Sequence, residues 1–212
     1  MSKSHLSPQK SAYKHRPHDQ IKTRQRFLIV CEGQETEKNY FERFHAPNKY
    51  VKVVGKGKTT ENLIIEALKL RNDGEYDQVW LVFDKDDISV ETFEKTIVGA
   101  EKKGLKVAYS NQAFELWFVL HFEYLHSAID RKAYLEKLNN CLGFKYEKTD
   151  ADMYDHLKCR IDTALRNAAR LREEYNPPRP GKDDPSTTVD LLVKALQVEA
   201  EPLTNKRRGS KN

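Results

Sequence analysis

Asp84 and Asp86 stand one residue apart, with Asp87 beside them, directly after the apolar run Val79-Trp80-Leu81-Val82-Phe83. Glu32 offers a third carboxylate in the same setting, straight after Phe27-Leu28-Ile29-Val30-Cys31 and before Gly33. Three oxygen ligands with no His or Cys among them suit a hard divalent cation, Mg²⁺ or Mn²⁺. Brought together without a cation, the three would repel one another. A cation held this way can bind a phosphate, polarise it and stabilise a leaving oxygen, which is phosphoryl-transfer or phosphodiester chemistry. Asp87 is either an outer ligand or the cap of the helix that follows. Lys85, if the chain is extended, points away from its acidic neighbours and can pair with them or with a phosphate. Asp-x-Asp-Asp alone also reads as a polar turn ending a strand; Glu32 is what turns it into a constellation.

Those acids need elements that bring them together. Residues 79–83 and 27–31 are runs of β-branched, aromatic and aliphatic residues, the pattern of strands buried on both faces in a parallel sheet. Open parallel sheets hold ligands just beyond the carboxyl ends of their strands. If the first and third strands are neighbours, Glu32, Asp84 and Asp86 converge on one crevice. The rest of the chain supports that frame. Helical patterns at 35–44, 61–71 and 89–103 alternate with strands at 48–54 and 105–109, the order of a three-layer α/β domain with right-handed crossovers.

Residues 113–122 are almost wholly apolar and predict a short buried helix capped by Ser110 or Asn111. Glu115 is its one acid, and a carboxylate in such company requires a partner or a metal. His121 reads as a core or interface histidine. From residue 127 no strand pattern remains. Helices are predicted over 131–141, over 151–174 as one long element, and over 189–199 capped by Ser186, Thr187 or Thr188. The resulting division is a flexible basic tail over 1–25, an α/β domain over 26–125, a helical extension over 126–200 and a basic tail over 201–212.

Charge sharpens the picture. The 212 residues carry a net charge of +5 and are 33% charged and 38% hydrophobic. Residues 1–26 hold seven Lys/Arg against Asp19 alone, and residues 204–212 hold four and no acid. What lies between has 26 basic and 31 acidic residues, so the folded part is mildly acidic. Basic arms can contact phosphates without reading sequence, or simply solubilise the chain. Arg24 and Arg26 belong to the first arm. Lys56 and Lys58, in Gly55-Lys56-Gly57-Lys58, form either a phosphate-contacting loop before a helix or a plain connection. That segment lacks the spacing of a P-loop. Three scattered cysteines, Cys31, Cys141 and Cys159, make neither a disulfide framework nor a zinc site. No apolar run approaches the roughly 20 residues that cross a bilayer, and residues 1–25 lack the apolar stretch of a secretory leader. The expectation is a cytoplasmic protein that enters no membrane.

Glu followed by Gly on the first strand, with Asp-x-Asp after the third, resembles Toprim domains of topoisomerases, primases and OLD-type nucleases. Four longer stretches (FLIVCEGQETEKNYF at 27–41, VWLVFDKDD at 79–87, SNQAFELWFVLHFE at 110–123, PSTTVDLLVKAL at 185–196) are similar to the RloB-like family. The resemblance implies a Toprim-like sheet of about four parallel strands flanked by helices, with a helical extension at its C-terminal side. It implies a metal-dependent nuclease acting on DNA or RNA, with Glu32 as acid/base or ligand and Asp84 and Asp86 as ligands. It also implies restriction or phage defence, often beside an ATPase partner. Glu115 and Ser110-Asn111 match the family's text, with roles less settled there. No tyrosine is marked as a nucleophile, so hydrolysis is expected rather than strand passage. A different class remains open: a non-catalytic subunit docking on the ATPase through residues 114–122 and 151–174. A receiver domain is excluded, because it pairs adjacent acids after its first strand, where this chain has Glu32-Gly33. Oligomeric state is open.

Overall fold

The computed structural model describes residues 24–198 apart from 47, 58 and 59, and apart from the side chain of 61. The tails read over 1–25 and 201–212, save for residues 24 and 25, and Lys58 lie outside the described residues. The sheet has five strands in the order β2-β1-β3-β4-β5. These are β1 (Gln25–Cys31), β2 (Lys49–Gly55), β3 (Gln78–Asp84), β4 (Lys106–Asn111) and β5 (Ser186–Thr187). The first four run parallel, and β1 and β3 are direct neighbours, with Ile29 opposite Trp80 and Cys31 opposite Val82.

Alternation along the central strands splits the core in two. Leu28 and Val30 of β1, with Val79, Leu81 and Phe83 of β3, face α2 (Thr60–Asn72) and α3 (Val90–Lys102). Phe27, Ile29, Cys31, Trp80 and Val82 face the other way. There they meet α1 (Thr36–Glu42), α4 (Glu115–Val119) and α5 (Arg131–Leu142). The same layer holds α6 (Met153–Leu157), α7 (Ile161–Glu173) and α8 (Val189–Gln197). Residues 27–31 are fully buried, as expected of strands covered on both faces. Residues beyond 126 thus supply most of one covering layer and share a single core with the sheet. Among the described residues no helix is long and apolar enough to cross a membrane.

Three expectations change. Ser186 and Thr187 form an antiparallel fifth strand on β4, while Thr188 takes the N-cap position of α8 without a side-chain cap bond; Thr187 Oγ1 donates to the Tyr109 carbonyl at 2.9 Å. The long helix over 151–174 is broken by a 3₁₀ turn at Lys158–Arg160. Its apolar positions continue through the turn at unchanged spacing, so periodicity does not register the break. Neither Ser110 nor Asn111 caps α4, which has no side-chain cap from its own flanking residue. Asp84 takes that part, as described next.

Candidate functional site

At the carboxyl ends of β1 and β3 lies a crevice of about 330 Å³. Glu32, Gly33, Glu35, Thr36, Glu37, Asp84, Asp86, Phe114, Glu115, Arg131 and Lys148 are among its walls. Glu32 follows β1 immediately, and its N–H donates to the Val82 carbonyl at 2.9 Å, locking it beside β3. Thr60, at the start of α2, donates its hydroxyl to Glu32 Oε1 at 3.4 Å. Burial raises the Glu32 carboxyl above its usual range, against the pull of Thr60 and of Arg131.

Asp84 ends β3. Its Oδ2 accepts from the Phe114 N–H at 3.0 Å, so this carboxylate fixes the start of the α4 segment. Its Oδ1 is shut away from solvent with no protein partner. Burial pushes its pKa well up, and the charges of Glu37 and Glu115 push it further, against the Phe114 amide and Arg131. Asp86 has a left-handed backbone, φ 43°, a conformation that Asp tolerates better than most residues. There its carboxylate meets the Arg131 guanidinium.

Glu37 was not singled out from the sequence. It lies one helical turn beyond Gly33, is 6% exposed, and has its pKa raised to about 7. Burial is the main cause, and Glu115 and Glu32 add repulsion against Lys148. Gly33 is what lets it in: a Cβ there would lie 2.0 Å from Glu37 Oε2. Glu115 is 4% exposed; its Oε1 lies 3.4 Å from the Tyr146 hydroxyl and 3.5 Å from Lys148 Nζ. Arg131 and Lys148 were missed as well, because both come from the helical half, about 50 and 60 residues beyond Asp84, and no spacing rule links them to it. The legible hint to Glu37 was its place in Glu32-Gly33-x-Glu35-x-Glu37, on the first turn of a helix starting at the strand end.

The other candidates lie elsewhere. Lys85, Asp87 and Asn111 do not line the crevice. Asp87 is exposed, and Ser89 caps α3 in its place, its Oγ accepting from the Thr92 N–H. Asn111 donates from Nδ2 to the Asp183 carbonyl at 2.8 Å, tying down the approach to β5. Lys56 is spent on Glu66 at 2.6 Å. Arg24 and Arg26 sit at the amino end of β1, roughly 20 Å along the strand from Glu32. There Arg26 lies over Tyr50 and Tyr76 and pairs with Glu75. His121 is interior: its Nδ1 lies 2.9 Å from the Trp117 carbonyl, and burial pushes its pKa down to about 4. Cys31 is a buried member of the core.

The donor set suits a hard divalent cation: all oxygen, one buried oxygen without a partner, and carboxylates whose charges oppose one another. The present spacing does not. Among the described residues no three His, Cys, Asp or Glu side chains are arranged to hold a metal ion.

Fold and crevice together define a three-layer α/β protein with an acidic site at the carboxyl edge of its sheet. The RloB-like protein family matches residues 27–196, and the chain belongs to that family. No curated protein and no solved structure matches it.

Proposed function

We propose that this chain is a divalent-cation-dependent nuclease of Toprim type, hydrolysing phosphodiester bonds of DNA or RNA. The observation that carries the reading is the buried, unpartnered Asp84 Oδ1 in a crevice shared with Glu32, Glu37, Asp86 and Glu115. A multivalent cation would relieve the repulsion within an array of that kind. Glu32, Glu37, Asp84, Asp86 and Glu115 would hold Mg²⁺ or Mn²⁺. Bound there, the cation would polarise a phosphate and lower the pKa of a water. The protein's own part is to hold Asp84 against the Phe114 amide and to keep Glu32 beside β3. A role in phage defence with an ATPase partner rests on the family resemblance alone.

A second reading, a non-catalytic subunit, draws on the pairing of Asp86 with Arg131, which closes one ligand off. Its docking surface needs revision, however. Phe114, Leu116, Trp117, Phe118, Val119 and Leu120 are all interior and offer no face to a partner.

The test is cleavage of plasmid, single-stranded DNA and RNA with Mg²⁺ or Mn²⁺. Wild type is expected to cut at least one of them. Glu32→Ala and Asp84→Ala are each expected to lower the rate by about a hundredfold or more. Equal rates in all three proteins would end the nuclease reading.

A further inference from the structure

The crevice presents six carboxylates (Glu32, Glu35, Glu37, Asp84, Asp86, Glu115) and two cations, Arg131 and Lys148. A polyanion would be repelled from that surface unless charge is rearranged. The two cations are placed to do it. Both come from the helical half, opposite the strand ends. Arg131 is the first residue of α5, capped by Asp130, whose Oδ1 accepts from the Ala133 N–H at 2.8 Å. A positive charge at a helix amino terminus works against the helix dipole, so α5 gains nothing from an arginine there. Lys148 is anchored by its backbone, its carbonyl accepting from the Thr36 hydroxyl at 3.0 Å.

Each cation rests on one carboxylate, Arg131 on Asp86 and Lys148 on Glu115. Arg131 and Asp86 are both part-exposed, at 45% and 39%, so that pair is weak and exchangeable; Lys148 is 61% exposed but Glu115 only 5%, so Lys148 can leave at low cost only when another cation takes its place on Glu115. Arg131 also acts on both neighbouring acids, its charge being felt at Glu32 and Asp84.

We propose that Arg131 and Lys148 are a phosphate clamp: paired with Asp86 and Glu115 they close the crevice, and released from them they bind the phosphodiester backbone of a nucleic acid. This rests on the nuclease reading above and adds to it the residues that hold substrate. The clamp couples the two ligands. Giving up Asp86 and Glu115 to a divalent cation frees two positive side chains, so cation and nucleic acid strengthen each other's binding. Arginine's planar fork suits a phosphate as it suits a carboxylate.

The experiment compares full-length wild type with Arg131→Gln/Lys148→Gln and with the charge-preserving Arg131→Lys/Lys148→Arg. Mn²⁺ binding is measured by calorimetry. Binding of short labelled DNA and RNA strands is measured by anisotropy with and without Ca²⁺. The neutral variant is expected to bind Mn²⁺ about tenfold tighter than wild type at low salt, because two positive charges no longer compete. The gain should shrink as salt rises. The same variant should bind the strands about tenfold more weakly and lose the enhancement by Ca²⁺. The charge-preserving variant should follow wild type in both. Whether DNA, RNA or both respond identifies the backbone held. Mn²⁺ bound equally by wild type and the neutral variant would overturn the clamp and leave the nuclease reading standing. Strand affinity unchanged in the neutral variant would do the same. No Mn²⁺ bound by either protein would overturn both.

Discussion

Asp84 does two jobs with one carboxylate. Oδ2 holds the Phe114 amide and so positions the segment carrying Glu115; Oδ1 is buried without a protein partner. Gly33 plays a comparable part from the opposite wall, since only a hydrogen in place of its Cβ leaves room for the Glu37 carboxylate. The atom a methyl group would strike is the end of a flexible side chain, so the fold can absorb the change while the site cannot. Gly33→Ala is therefore expected to leave the circular dichroism spectrum intact. It should weaken Mn²⁺ binding by about tenfold, as loss of supporting geometry does at metal sites. Calorimetry on the folded variant checks this; unchanged affinity would remove Glu37 from the set that holds the cation.

At the scale of elements, the strands carrying the acids were legible, and the pieces that complete the site were not. Residues 27–31 and 79–83 announce themselves because a strand covered on both faces has no polar alternation to blur it. Glu32 and Asp84 follow as the residues at their ends. β5 was invisible because two residues, Ser186 and Thr187, carry no periodicity; a Ser-Thr-Thr run before a helix looks the same as a cap. Yet Thr187 is a junction. Its Oγ1 donates to the Tyr109 carbonyl at 2.9 Å, accepts from the Val189 N–H at 3.2 Å and lies 3.2 Å from Ser110 Oγ. Thr187→Val keeps the volume and strands those buried groups. The expected cost is about 1–3 kcal/mol, read as a lower urea midpoint at unchanged slope. Arg131 and Lys148 escaped notice for a related reason: they reach the crevice only through the packing of the helical half on the sheet, which no local pattern encodes.

For the whole molecule, the acidic crevice makes stability depend on pH in a definite direction. In the unfolded chain Glu37 titrates near 4.5, and in the fold its pKa is raised to about 7, chiefly by burial. The fold therefore binds the proton more tightly than the unfolded chain does. The resulting contribution is complete below about pH 4.5 and is lost as pH rises through about 7. Asp84 and Glu32 are shifted in the same direction, so they add to the slope. A displacement of this size at one nearly buried group corresponds to roughly 3 kcal/mol across the window. The prediction is a difference between two proteins, which cancels titrations elsewhere in the chain. Glu37→Gln should gain on wild type steadily from pH 5 to pH 8, by several degrees in melting temperature at the upper end. Saturating Mn²⁺ should raise the melting temperature of wild type more at pH 8 than at pH 5, because ligand carboxylates must lose their protons to bind it. Parallel melting curves for the two proteins across that range would mean that Glu37 meets solvent as freely in the fold as in the unfolded chain.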